Sequence, residues 1–282
     1  MATLRPRSSD GPEVPANELS EEQASRMLIE RTVLDEQARG AGERDAQTWG
    51  VWTWLGPLLA LAALIVLDNV VVPVLAPDEG PGRVAVGIAA AIGGELLLLA
   101  VLLAVGRRVA ARAGGWRAAF GLDRVRTRDW LPWLLGIAVV YACRTAVLVV
   151  AAVLTEGRAV EEANNLQLRS PTALSIVVLT LLVVVLAPIT EELMFRGLLL
   201  RSFLRRMSFW PAALLSTLLF ALFHVFQVDT LLGAVTLALS VAVLGLGNCF
   251  VVRITGRLTP AIMVHATFNA LTLVVALATA SS

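Results

Sequence analysis

Two adjacent carboxylates, Glu191 and Glu192, are followed four residues on by Arg196 inside a stretch otherwise apolar enough to cross a membrane. Charges at that depth cost roughly 2.5–3.5 kcal/mol each on insertion scales, so they face a protein-lined cavity and carry function. On a helix, Glu192 and Arg196 share a face and can pair. Glu191 is turned about 100° from its neighbour, which leaves it free to work on a proton. The chain has two histidines, both in apolar runs: Phe220-Ala-Leu-Phe-His224 and His265-Ala-Thr-Phe-Asn269. Each motif puts a pair at four-residue spacing on one helix face. A lone histidine in such a run is as often a helix–helix hydrogen-bonding residue. Taken together, Glu191, Glu192, Arg196, His224, His265 and Asn269 supply a base, imidazoles and neutral donors, the groups that water-mediated acyl cleavage requires.

Other hydrolytic chemistries are poorly served. There is no His-Glu-x-x-His for a two-histidine zinc site, and no Gly-x-Ser-x-Gly elbow for a serine nucleophile. Asp68 is the single aspartate in an apolar run, so a pair for aspartyl catalysis is lacking. Cys143 and Cys249 lie in apolar runs without metal-ligand spacing and read as structural thiols. A glutamate acting on water is what remains, with or without a metal.

The elements that must position these residues are membrane helices. Of the 282 residues, 57% are hydrophobic and 16% charged, with a mean hydropathy of +0.76, where a soluble domain would have about 25% charged. Apolar runs near 20 residues fall at about 50–75, 84–106, 130–154, 173–199, 209–227, 230–251 and 259–279. The expectation is an all-α polytopic membrane protein of about seven transmembrane helices, with the polar constellation in the last four. Pro188 is expected to bend the fourth run just before the carboxylates. Asp68, Glu95 and Arg144, one in each of the first three runs, are expected to form a structural charge cluster, a substrate or ion path being the sharper alternative.

Arginine placement sets the orientation. Segment 107–129 holds seven Arg, 200–208 holds Arg201, Arg205 and Arg206, and 252–258 holds Arg253 and Arg257, whereas the opposite loops hold Arg83, Arg158 and Arg169. This predicts a cytoplasmic N-terminus in a bacterial cytoplasmic membrane. Residues 1–49, with six Arg and ten Asp and Glu, read as a cytoplasmic, disordered tail with a short amphipathic segment within 20–47. Residues 50–172 read as flanking helices and loops, and 173–282 as the catalytic membrane core. Nothing points to nucleic acid; the expected partners are membrane lipid and a membrane-associated peptide or protein.

The order of motifs on successive runs resembles the CAAX prenyl protease and bacteriocin-processing (CPBP, or Abi) family: Glu191-Glu192-x-x-x-Arg196-Gly197, Phe220-x-x-x-His224, then His265-x-x-x-Asn269. Ala187-Pro188 and Thr255-Gly256-x-Leu258-x-Pro260-x-Ile262 match as flanks, and the resemblance covers about residues 173–275. It implies an intramembrane endopeptidase acting on membrane-associated proteins or peptide precursors. Glu191 would activate water and His224 would hold it. His265 and Asn269 would stabilise the oxyanion, and Glu192 and Arg196 would shape the site. The family is commonly called metalloprotease. A zinc, if used, would take His224, His265 and Glu191, but a mechanism needing no cofactor is expected. Two other functions compete: a non-catalytic immunity or scaffold protein of the same fold, and a small ion- or proton-coupled transporter using the same charges as a relay.

Overall fold

A computed structural model describes residues 49–50, 52–67, 70, 74, 81–163 and 173–280. The chain divides into two compact units, Met1–Gly50 and Val51–Ser282, and the account below concerns the second. The amphipathic segment within 20–47, Asp68 and Pro73 lie outside the described residues. The described residues form helices α1 (Trp52–Val66), α2 (Pro81–Ala113), α3 (Trp116–Phe120), α4 (Trp130–Thr155) and α5 (Arg158–Glu162). Then come α6 (173–203), α7 (Phe209–His224), α8 (Leu231–Thr255) and α9 (Thr259–Ala280). No strand occurs among them. The protein is an all-α polytopic membrane protein. Six helices are long and apolar enough to cross a bilayer, at Ala89–Ala113, Thr127–Thr155, Ile176–Phe203, Phe209–Gln227, Leu231–Thr255 and Thr259–Thr279. The first of the seven expected runs is a shorter apolar helix, α1, of 15 residues.

Helix α6 is the shaft of the bundle. Every residue from Thr190 to Phe203 is buried, as expected of a helix whose apolar side chains leave no solvated face. It is not uniformly α-helical. Thr180–Leu186 and Leu193–Leu199 are π-helical turns on either side of the carboxylates, and such wide turns inside helices are frequent at functional sites. Pro188 sits inside α6, between the two π-helical turns. In the π register the Ala187 amide donates to the Leu182 carbonyl, so the next carbonyl, that of Val183, would need the N–H that Pro188 lacks. A buried orphan carbonyl must find another donor, and it accepts from Asn269 Nδ2 on α9 at 2.8 Å.

The arginine-rich end of the bundle is closed by its own polar network. Arg201 donates to the carbonyls of Phe120 at 2.8 Å and Gly256 at 3.2 Å. Arg257 pairs with both Asp123 and Asp129 and donates to the Arg124 carbonyl, while Arg126 pairs with Asp123. Gly121, at φ 64°, lets α3 end directly against the turn after α8: a Cβ there would lie 2.5 Å from Arg257 Cα. Burial works to raise the Asp123 carboxyl, but the hydrogen bonds and charge of Arg257, with Arg126 and Arg117, outweigh it and hold it below the usual carboxylate range.

Candidate active site

Helices α6, α7 and α9 bring five of the six expected side chains into one cluster. Glu192 and Arg196 are fully buried and bonded at 2.9 Å along α6. Two further donors reach the same Glu192 oxygen, Oε1: Asn248 Nδ2 of α8 at 2.8 Å and His265 Nδ1 of α9 at 2.9 Å. One carboxylate thus ties three helices together. Gly245 makes room for this arrangement, since a Cβ there would lie 3.2 Å from both Arg196 Nη2 and the Phe220 ring. The Arg196 guanidinium lies over that ring, 4.4 Å from its centroid, and the ring also packs against His224 and His265.

Glu191 is oppositely placed. It is 6% exposed, and its Oε2 is buried without a hydrogen bond. The same atom faces His265 Nε2 at 3.6 Å and His224 Nε2 at 3.9 Å. The tautomers follow from the other ring nitrogens. His224 Nδ1 lies 2.8 Å from the Phe220 carbonyl, which can only accept, so Nδ1 carries the hydrogen and Nε2 presents a lone pair. His265 Nδ1 likewise donates to Glu192. Three acceptor atoms therefore surround one small volume, an arrangement stabilised by anything that brings hydrogens into it, water first.

That volume opens into a cavity of about 720 Å³ whose lining includes Glu191, His224, His265 and Asn269. Glu95 of α2 and Arg144 of α4 also line it, as do Glu161, Gln227 and Thr279 towards the arginine-poor end. Asn269 thus shares the cavity with the cluster, one turn beyond His265, with one of its amide hydrogens held by Val183. Glu95 accepts from the Thr190 hydroxyl at 2.8 Å, which anchors α6 to α2. Of the charge cluster expected in the first three runs, Glu95 and Arg144 line one cavity. Arg144 is in no ion pair among the described residues, and Asp68 lies outside them.

Residues 173–271 match the model of a family described as "Type II CAAX prenyl endopeptidase Rce1-like". The matched segment runs from α6 into α9. It contains every residue of the cluster, from Glu191 to Asn269, so the resemblance read from the motifs and the family match cover the same helices. No curated protein and no solved structure matches the chain. Asn248, whose amide completes the Glu192 node within the matched segment, is absent from the motifs. It stands alone in Gly-Leu-Gly-Asn248-Cys without a spaced partner, and only its being a polar residue deep in an apolar run could have singled it out.

No group of three or more His, Cys, Asp or Glu side chains among the described residues is placed to hold an ion. Glu192, the nearest additional carboxylate, already serves Arg196, Asn248 and His265 through Oε1.

Proposed function

We propose that this protein is an intramembrane endopeptidase in which Glu191 activates water without a metal, acting on membrane-associated peptides or proteins. The observation that carries the reading is Glu191 Oε2 facing both histidine Nε2 atoms, at 3.6 and 3.9 Å, on the wall of a cavity large enough for a peptide segment. A water there donates one hydrogen to Glu191 and the other to His224 Nε2. Glu191 takes the first proton as the oxygen attacks the scissile carbonyl. His265, held through Nδ1 by Glu192, takes a proton at Nε2 from water in the cavity and directs that Nε2–H at the developing oxyanion. The second amide hydrogen of Asn269, one turn away and about 6 Å along the axis, does the same. Glu191 then returns its proton to the leaving amine. Glu192, Arg196 and Asn248 act through His265 by fixing its ring.

The N-terminus lies in the cytoplasm in this reading, and the arginine-poor end with the cavity faces outside. Cysteine labelling checks it: Arg117→Cys reacts from the cytoplasmic face and Asp229→Cys from the other. A transporter reading gains little, because the cavity runs towards one end of the bundle. The test of activity is cleavage of lipidated fluorogenic peptides by the purified full chain in nanodiscs. Wild type cleaves, Glu191→Gln does not, and exhaustive chelation and dialysis leave the rate unchanged. Stoichiometric zinc, with activity lost on its removal and restored on its return, overturns the metal-free mechanism.

A further inference from the structure

Arg144 is the one arginine among the described residues lining the cavity, and the chain has no lysine. It projects from the middle of α4, within the Thr127–Thr155 span. Its Nε is buried with no hydrogen-bond partner. Its guanidinium rests against rings, 5.3 Å from the centroid of Phe268 and 5.9 Å from that of Tyr141. Tyr141 is itself fixed by its hydroxyl, which donates to the Phe268 carbonyl at 3.1 Å. A guanidinium inside a membrane span is costly unless something compensates it, and the fully buried arginines of this bundle, unlike half-buried Arg144, have their acceptors. Arg196 has Glu192, Arg201 has two carbonyls, and Arg257 has two aspartates. Arg144 has aromatic faces and an open cavity.

We infer that Arg144 is a substrate-binding residue that takes a carboxylate of the peptide, in the cavity that holds Glu191. The planar fork of arginine matches a carboxylate with two parallel hydrogen bonds, and the two rings hold it edge-free towards the cavity. The remaining acids of the lining do not substitute for a ligand: Glu95 is engaged by Thr190, and Glu161 lies in α5 at the end of the bundle. The position also fits. Phe268 follows His265 by three residues, a rise of about 4.5 Å along α9, on the side towards the arginine-poor end. A carboxylate at Arg144 therefore lies within a few extended residues of the bond opposite Glu191. The carboxylate comes from the end of the peptide or from an acidic side chain near the cut. This subsite rests on the endopeptidase reading for its purpose but not for its measurement.

The experiment uses the full chain carrying Glu191→Gln, reconstituted in nanodiscs, with fluorescein-labelled lipidated peptide pools of random sequence lacking Asp and Glu. One pool ends in a free carboxylate, a second in a carboxamide, and a third in a carboxamide with one Asp near the end. Anisotropy should show the free-acid pool binding roughly 10- to 100-fold tighter than the carboxamide pool. Arg144→Met and Arg144→Gln should erase the difference, and Arg144→Lys should restore part of it. If the Asp pool binds like the free-acid pool, the carboxylate is a side chain's; if it binds like the plain carboxamide, it is the chain end's. Equal binding of acid and carboxamide, or a preference that survives both neutral variants, overturns the site. Cleavage by the chain with Glu191 intact is scored separately. Pools cleaved without acid preference leave the endopeptidase and remove the subsite, whereas Arg144-dependent binding without cleavage does the reverse.

Discussion

Glu191 and Glu192 are neighbours on one helix, yet they belong to regions built on opposite rules. Around Glu192, three donors from three helices converge on one oxygen, and the result is fully buried. Around Glu191, Oε2 faces the Nε2 atoms of two histidines, and the carboxylate meets a cavity. Oε2 of each carboxylate is buried without a hydrogen bond, a cost of about 1–3 kcal/mol apiece, so what separates support from work is the three donors on Glu192 Oε1 and the cavity that Glu191 alone of the two lines. The difference also says where water belongs, on the Glu191 side and not the Glu192 side.

The largest expected effect breaks the comparison directly. Glu191→Gln lowers cleavage of the lipidated peptides by at least about 10³-fold with thermal unfolding nearly unchanged. Glu192→Gln does the opposite, destabilising the bundle by about 3–5 kcal/mol because Arg196 is left as an uncompensated buried charge. Finding the two phenotypes interchanged would reverse the roles. Asn269→Ala comes next, with turnover reduced about 10²-fold and KM little changed. It also strips the Val183 carbonyl of its donor, so Pro188→Ala in the same chain, which restores an N–H to α6, should recover stability but not turnover. Asn248→Ala sharpens the Glu192 side, with a loss of about 1–3 kcal/mol in unfolding experiments and a smaller loss of rate through a less firmly held His265.

The smallest effect lies at the far end of the bundle. Asp123 titrates lower in the folded protein than in the unfolded chain, so its contribution to stability is complete above the unfolded value near 4 and is lost as pH falls through the lower folded value. Melting temperature should therefore decline on acidification below about pH 4. Asp123→Asn should flatten that decline while lowering stability at neutral pH, as scanning calorimetry at a series of pH values would show.

The motif residues and their helices were legible in the sequence because a charge inside a 20-residue apolar run has few alternatives, and because four-residue spacing fixes a face. Spacing could not show that Glu192, rather than Glu191, touches His265 through a hydrogen bond. That choice depends on how α9 is rotated against α6, and the π turns reset the rotation locally. The family resemblance implied an oxyanion donor at Asn269; its hold on Val183 follows from the missing N–H of Pro188, a long-range consequence of a residue read only as a bend. Arg144 was grouped with Glu95 and Asp68 by span alone, and sequence could not reveal that its immediate neighbours are aromatic rings. Arg201 and Arg257, counted as orientation signals, also serve as internal ties, which a count of charges does not distinguish.

The closure of the arginine-rich end has a consequence for the cell's ion gradients. Hydrolysis within a bilayer needs water at mid-membrane, and a bundle hydrated from both faces would conduct protons through its own histidines and glutamates. Here none of the residues in the Arg201–Phe120–Gly256 and Arg257–Asp123–Asp129 ties lines the cavity, so water admitted from the arginine-poor end would meet those ties before the other face. A bundle tied in this way would hold water at Glu191 without opening a path across the membrane, and the ties would then be as much insulation as scaffold.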